Sequence, residues 1–365
     1  MPIKLKDVYW ARQGEELFLY TPAAEEITLA DPSHQVQRLL VAMRKGTESV
    51  ADLAVTLSLP VSEVADAVAA LDDLGLVTAA ESGSMTAPQR ERYRSNLALF
   101  EACGSLGRAP SAFQEALLKA HVVCLGAGGV GTAVLQALCG AGVGRFTLLD
   151  FDRVERKNLS RQFLYREADI GRLKVDCAAE WVRGYNPDAA VTTVNARIGS
   201  PGDVCAVLAG ADLVIGAVDQ PFQVQDWVDE ACVRAGVRYV FGGGRPFSVM
   251  YWSVDPGRSA CRGCMVLSGQ AGDQARIARL ERVMDGVTPV NVGTGPVISL
   301  VGGLMAVEAM RHLTGFTPPV AAGRVRVLDL VTGSEEITEW TRHPDCTRCQ
   351  AARDRDSERA VGSRD

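Results

Sequence analysis

The 365-residue sequence predicts an α/β protein: a Rossmann-like, doubly wound and mostly parallel sheet with antiparallel C-terminal strands, preceded by a winged-helix-like α+β domain. Three observations support this. From about residue 120, short runs of strand character alternate with helical runs, the rhythm of a parallel sheet with helical crossovers. A glycine-rich loop, GAGGVG at 126–131, lies between the first such strand and a helix. Residues 1–85 keep a different order, three strands, three helices and a returning strand, as a small separate unit would.

In chain order, VYWARQ and ELFLYT flank a QGEE turn as a hairpin, and EEITLA adds a third strand. Helical patterns follow in SHQVQRLLVAMRK, TESVADLAVTLS and VSEVADAVAALDDLG, with Thr47 and Ser62 expected to cap the second and third. Val64, Val68, Leu71 and Leu74 form an apolar stripe on the third helix, and LVTAA returns as a strand. ESGSMTAPQR at 81–90 reads as a polar linker; residues 86–95 hold its end and the start of a lead-in helix that runs to about 120. The α/β domain, expected over 96–350, alternates HVVCLGAG, RFTLLDF, AVTTVNAR, DLVIGAV and RYVFGG with helices. Antiparallel strands are expected over 246–260 and 324–340, with VISLVGGLMAVEAMRHLTG between them as a buried helix. The tail, 351–365, is polar and charged with little to bury, and disorder is expected there.

Composition narrows the class. The sequence is 47% hydrophobic and 22% charged with a net charge of −6, ordinary for a globular protein and poor for broad affinity to nucleic acid or anionic lipid. No run of eighteen uninterrupted apolar residues occurs and the N-terminus lacks a signal-peptide core, so a cytoplasmic location is expected. Six cysteines (Cys103, Cys124, Cys139, Cys177, Cys205, Cys232) stand singly in apolar runs, where small buried residues are expected.

The chemistry concentrates after the glycine loop. Gly126, Gly128, Gly129 and Gly131 let backbone approach phosphate oxygens at a helix N-terminus, a signal shared with many dehydrogenases. Asp150 ends the next strand, where a carboxylate suits ribose hydroxyls, and Asp152 follows it in a D-F-D triplet. Asn158, Arg161 and Lys174 then place an amide and two cations at the carboxyl edge of the sheet, where the loop also opens. Two cations there suit the β and γ phosphates of ATP. Asp219 ends a later strand on the same edge and can offer oxygen ligands to Mg²⁺. Arg161, Lys174 and Asp219 would thereby help pyrophosphate leave as a carboxylate attacks the α-phosphorus. The competing account makes Arg161 and Lys174 surface charges and Asp219 a helix cap.

The run LGAGGVGTAVLQALCGAGVGRFTLLDFDRVERKNLSRQFLYREADIGRLKVDCAAE resembles the adenylation core of the ubiquitin-activating superfamily, especially its ThiF/MoeB-like adenylyltransferases of the thiamine and molybdopterin pathways. Glycine loop, D-F-D, N-L-x-R-Q and G-x-x-K occur in order, and the resemblance covers about residues 90–350. It implies that Gly129 approaches the phosphates, Asp150 holds the ribose, Asn158, Arg161 and Lys174 surround the triphosphate, and Asp219 serves Mg²⁺. It further implies a homodimer in which a lead-in-helix arginine reaches the partner subunit's ATP. Relatives read R-Y-x-R-Q there; this sequence reads RYRSN, with Ser95 in the arginine position and Arg94 one earlier, so Arg94 is the candidate substitute.

CRGC (Cys261, Cys264) and CTRC (Cys346, Cys349) supply four thiolates in two tight turns, the donor set of a closed, structural Zn²⁺ site. Coincidental or redox cysteines are the alternative. Family members that pass the acyl group to a protein thiol carry a cysteine between the two zinc halves. The corresponding segment here, RVMDGVTPVNVGTGPV, has none, with Pro289, Val290 and Asn291 at the aligned place, so a nitrogen or solvent nucleophile is expected. Arg245, in GGGRPF after a strand end, can face the acyl group or form a salt bridge.

Residues 1–85 hold six cations against thirteen acids, a net of −7, which disfavours a nucleic-acid-binding winged helix. Their strand–helix order resembles the PqqD-like leader-peptide recognition elements of ribosomally made, modified peptides, which accept an extended peptide at a strand edge. A packing or dimerisation domain is the alternative. The two parts together resemble the peptide-adenylating enzymes of microcin C and pantocin biosynthesis. The expectation is ATP-dependent adenylation of a carboxylate on a precursor peptide held by the N-terminal domain. Activation of a ubiquitin-like sulfur carrier protein and a non-catalytic peptide-binding scaffold are the competing readings.

Overall fold

The computed structural model describes residues 2–21, 26–44, 46, 49–80, 83–221, 223–268 and 293–352. The chain divides into two compact units, Met1–Ala116 and Leu117–Asp365. Thr47, the segment 269–292 with Pro289, Val290 and Asn291, and the tail from 353 lie outside the described residues.

In the first unit, β1 (Ile3–Leu5) pairs antiparallel with β5 (Val77–Ala79), while β2 (Tyr9–Gln13), β3 (Glu16–Tyr20) and β4 (Glu26–Ala30) form the expected meander. Gly14 adopts φ 61° in the hairpin turn, a conformation that costs a side-chain-bearing residue more. Strand β1 was not legible in three residues of sequence. Period-two alternation on β3 sends Leu17 and Leu19 into a core with Leu40, Leu53, Val64, Val68 and Leu71 from α1 (Gln35–Arg44), α2 (Val50–Leu57) and α3 (Val61–Asp73). Both expected caps are displaced. Ser49 caps α2 in a reciprocal arrangement with Asp52, and α3 starts directly after Pro60, so Ser62 lies inside its first turn. The end of the expected linker, 87–90, is helix: Thr86 caps α4 (Ala87–Arg92) with Gln89, and proline sits in the first turn. α5 (Arg94–Cys103) and α6 (Pro110–Lys119) follow. Lys4 Nζ to Glu101 at 2.9 Å, Leu106 N–H to Asp72 at 2.9 Å and Ser84 N–H to Glu115 at 2.8 Å tie this lead-in to the strands and helices before it.

The second unit is built on one eight-stranded sheet in the order β13-β12-β11-β10-β9-β6-β7-β8. β6 (His121–Leu125), β7 (Arg145–Leu149), β8 (Ala190–Val194), β9 (Leu213–Gly216) and β10 (Arg238–Arg245) are parallel; β11 (Ser248–Val254), β12 (Arg324–Asp329) and β13 (Glu335–Glu339) continue antiparallel. Helices α7 (Gly129–Ala141), α8 (Lys174–Tyr185), α9 (Pro201–Cys205), α10 (Val224–Ala235), α11 (Arg262–Leu267) and α12 (Gly295–Thr314) complete it. The chain winds from β6 outward to β8, then crosses back to β9 on the other side of β6. The loops after β6 and β9 therefore diverge at a topological switch point, where a crevice opens.

Helix α12 is long and apolar enough to cross a membrane by length and composition, but half of it is buried within the fold. A Cβ added to Gly302 would lie 2.5 Å from Ala133 of α7, so the two helices touch through small residues. Ala352, inside the tail expected from residue 351, is helical and fully buried. Of the single cysteines, Cys124, Cys139, Cys177 and Cys232 are buried as expected, whereas Cys103 is half-buried and Cys205 is exposed.

Candidate active site and zinc centre

The crevice at the switch point is a cavity of about 630 Å³. Gly126, Gly128 and Gly129, Asp150 and Asp152, Asn158, Arg161, Lys174 and Asp219 all line it. Gly131 lies beneath the loop: a Cβ there would meet the Gly126 carbonyl oxygen at 1.9 Å, so its work is to let helix α7 start tightly under the turn. A Cβ on Gly126, at φ +97°, would meet the Ala217 carbonyl oxygen at 2.5 Å, so the loops after β6 and β9 nearly touch. Gly128, by contrast, has no atom of the described residues within 4 Å of an added Cβ. Backbone there is bare toward the cavity, as close approach of a phosphate requires.

Asp150 is buried, and its two oxygens accept the Ala127 and Asp152 amides at 2.7 Å each. The carboxylate thus fixes the glycine loop to the end of β7, and keeps further lone pairs for hydroxyl donors. Asp152 reaches Lys174 Nζ at 2.7 Å, and its carbonyl accepts the Lys174 amide at 3.0 Å. Lys174 is only 5% exposed, so it is no surface charge. One of its three ammonium donors meets Asp152, leaving two for an anion in the cavity. Asn158, also buried, accepts the Glu155 amide at 2.9 Å through its carbonyl and has its NH₂ group without a partner among the described residues. Arg161 donates to the Lys157 carbonyl at 3.0 Å and forms no ion pair among the described residues. Asp219 does not end the strand as expected: β9 stops at Gly216, and Asp219 is exposed three residues further on in the loop, where it does not cap α10, whose N-cap is Gln223. An exposed carboxylate beside the glycine loop fits a divalent cation carried in with a triphosphate. Arg94 opens α5 in the first unit and is exposed.

Two contributors were missed in the sequence. Tyr165 donates from its hydroxyl to the Ala127 carbonyl at 2.7 Å, bracing the glycine loop from below, and burial pushes its pKa upward, keeping it a donor. Gln162 is buried with its side-chain oxygen unpartnered among the described residues while it lines the cavity, an acceptor open to a donor. Gln162 belongs to the N-L-x-R-Q motif, which was the available signal; Tyr165 carried none.

On the far side of β10, the four expected cysteines converge. Cys261, Cys264, Cys346 and Cys349 are all buried, with sulfur atoms within 4.8 Å of one another. The closest pairs stand at 3.8, 3.5 and 3.4 Å. A tetrahedron with Zn–S near 2.3 Å has edges of roughly 3.8 Å, so the donor set and its size fit Zn²⁺ with no position left for a substrate. Asp229, fully buried, binds the two halves together: it accepts from the Arg262 and Gly263 amides at 3.1 Å, Arg348 Nη1 at 2.6 Å and the Tyr239 hydroxyl at 2.8 Å.

Known proteins agree with this arrangement. Residues 93–348 match the ThiF family. The chain is 34% identical over 242 residues to the molybdopterin-synthase adenylyltransferase of Escherichia coli, covering 65% of this chain and 89% of that one. It is also 34% identical over 239 residues to the sulfur carrier protein adenylyltransferase of Thermus thermophilus, covering 65% and 84%. Among solved structures, E. coli MccB with ATP matches at a TM-score of 0.76 and 22% identity, over 96% of this chain and 100% of that one. MccB, a microcin C7 biosynthetic enzyme, has also been solved in complex with N-formylated MccA. That likeness is one of fold. The chain belongs to the ThiF family and is an ATP-dependent adenylyltransferase.

Proposed function

We propose that this enzyme adenylates a carboxylate on a ribosomally made precursor peptide, which its first unit holds. The observation that carries the reading is the buried Lys174, its ammonium set by Asp152 at the edge of a cavity floored by bare glycine backbone. A buried cation of this kind suits a polyanion that sheds charge in the reaction. A peptide as substrate is supported by the fold shared with MccB over 96% of the chain, first unit included, and by that enzyme's complex with N-formylated MccA. The first unit's acidic balance speaks against nucleic acid.

In the reaction a carboxylate oxygen of the peptide attacks the α-phosphorus of ATP, the bond to the β-phosphate oxygen breaks, and pyrophosphate leaves. Asp150 accepts from the ribose hydroxyls. Asn158, Arg161 and Lys174 donate to the triphosphate, with Asp152 fixing the lysine. Mg²⁺, held in part by Asp219, would neutralise charge on the departing pyrophosphate. A nearby amide or amine nitrogen then attacks the acyl carbon, AMP leaves, and the nitrogen loses its proton to water. The Cys261, Cys264, Cys346 and Cys349 site holds structural Zn²⁺. A homodimer would bring Arg94 from the partner to the triphosphate.

ATP–pyrophosphate exchange tests the reading, with a synthetic peptide matching a short reading frame beside the gene. A carrier protein ending in Gly-Gly serves as the rival substrate, because the relatives at 34% identity are named for molybdopterin synthase and sulfur carriers. Exchange with the peptide and none with the carrier is expected; the reverse result replaces this reading with sulfur-carrier activation. Binding of labelled peptide should weaken at least 10-fold in a chain lacking residues 1–85, while ATP binding persists.

A further inference from the structure

The strand order measures out the cavity. Moving along the carboxyl edge, Asp150 and Asp152 follow β7, the glycine loop follows β6, Asp219 follows β9, and β10 comes next. Three strand spacings separate β7 from β10, roughly 14 Å. A nucleotide whose ribose lies at β7 and whose phosphates lie at β6 and β9 leaves the β10 end for the acyl group.

That end has a wall of its own. β10 pairs with β9 only through Phe241; Gly242, Gly243, Gly244 and Arg245 run on beyond the parallel sheet, backed on one side by β11. This projection is roughly 13 Å long. Residues 241, 243 and 245 share one face with their cross-strand partners Trp252, Met250 and Ser248. Phe241 stacks on Trp252 at 4.9 Å at the base of this face, Gly243 opposite Met250 leaves the middle free of any other described residue within 4 Å, and Arg245 stands at the rim. The opposite face is closed: a Cβ on Gly242 would lie 2.7 Å from Met305 of α12, and one on Gly244 would lie 3.3 Å from Val297. The glycines therefore serve two ends: Gly242 and Gly244 pack on α12, and Gly243 opens a trough on the other face.

Arg245 is exposed and lines the cavity, and it has no ion pair or ring partner among the described residues. The other cations of the cavity have assignments. Lys174 is set by Asp152, Lys157 pairs with Glu155 at 2.8 Å, Arg197 lies over the Phe151 ring at 5.1 Å, and Arg161 sits on the phosphate side. Arg245 alone of these rises from the β10 wall.

We propose that the β10 wall is the acyl subsite and that Arg245 is a specificity-determining residue, selecting a peptide with an acidic side chain within a few residues of the carboxylate to be activated. The proposal rests on the peptide-adenylation reading above. A guanidinium–carboxylate pair forms two parallel hydrogen bonds, which favour the acid over its amide by about 10- to 100-fold.

The test uses the full-length, zinc-loaded enzyme and a panel of synthetic peptides with free C-terminal carboxylates, identical except for Glu or Gln at each of the four positions before the end. ATP–pyrophosphate exchange is measured for wild type, Arg245→Ala and Arg245→Glu, with ATP binding titrated separately. The expected result is an acid-over-amide preference of at least 10-fold at one position in wild type. It should fall to near unity in Arg245→Ala and give way to preference for a Lys-substituted peptide in Arg245→Glu, with ATP affinity unchanged. Exchange without acid preference in wild type, or preference surviving Arg245→Ala, overturns the assignment and leaves peptide adenylation standing. ATP binding without exchange on any peptide overturns peptide adenylation, and the assignment falls with it.

Discussion

Lys174 illustrates how one side chain depends on its neighbours. It starts α8, is nearly fully buried, and owes its orientation to Asp152, itself fixed through its amide to Asp150. Lys174→Ala should lower ATP–pyrophosphate exchange by about 100-fold or more while labelled-peptide binding persists; exchange within a few-fold of wild type removes the lysine from the reaction. Tyr165 makes a subtler case, because its hydroxyl touches the glycine loop only from beneath. Tyr165→Phe leaves the Ala127 carbonyl without this donor, which costs about 1–2 kcal/mol of stability, and should raise KM for ATP several-fold with little change in kcat. A fall in kcat at constant KM would instead mean that Tyr165 acts on the reacting groups. The sequence displays the first kind of residue and hides the second. Asn158, Arg161 and Lys174 stand at fixed spacing in a motif, whereas Tyr165 and Asp229 act through contacts made only after folding, and a buried tyrosine or aspartate has no pattern of its own.

At the level of elements, local chemistry was legible where one residue type alone does the work. The paired C-x-x-C turns are of this kind, since two thiolates three residues apart can share a metal. The caps were less legible. Thr47 and Ser49 are both suitable hydroxyls, and the choice fell to Ser49 because only it stands three residues before Asp52, which returns the hydrogen bond. The linker at 81–90 misled for a related reason: its Thr-Ala-Pro-Gln reads as a loop by composition but is a helix start by position. The zinc centre yields the prediction at this scale. Mass spectrometry should find about one zinc per chain in wild type and far less in Cys346→Ser, whose Tm should fall steeply because a metal on the four thiolates would hold α11 to the segment around residue 349. Equal zinc content in both proteins would dissolve the assignment, and an unchanged Tm on loss of zinc would mean that Asp229 and its four donors suffice without the metal.

For the whole molecule, the sheet order explains why so much of the site could be read from one dimension: in a doubly wound fold, residues that end successive strands meet at one edge, so sequence position becomes spatial position. What the sequence left open was the interior, and α12 shows why. Its apolar run is that of a core helix, yet it carries Glu308 and His312 into the fold, both less than 5% exposed. Glu308 is satisfied, accepting from the Ser253 hydroxyl at 2.8 Å, the Ala321 amide at 2.8 Å, the Val320 amide at 3.1 Å and Arg311 at 3.2 Å. His312 is not: neither ring nitrogen has a hydrogen-bond partner among the described residues, and Nε2 stands 3.9 Å from the Glu308 carboxylate. Burial pushes its pKa from 6.5 down to about 4, outweighing the opposite pull of Glu308 and Asp255 and aided by Arg238. The folded protein therefore keeps His312 neutral where the unfolded chain has already taken a proton. Between pH 6.5 and about 4 the unfolded state binds more protons, so stability is full above this window and is lost as pH falls through it. At pH 5 the loss from this one group is about 2 kcal/mol. His312→Leu, which keeps the apolar packing and cannot titrate, should cancel that share. Urea denaturation followed by the tryptophans of the second unit (Trp181, Trp227, Trp252, Trp340) should show wild type losing about 2 kcal/mol more than the variant between pH 7 and pH 5. Parallel losses in the two proteins would mean that the imidazole opens to water before it titrates, and that the interior around α12 is looser than its packing implies.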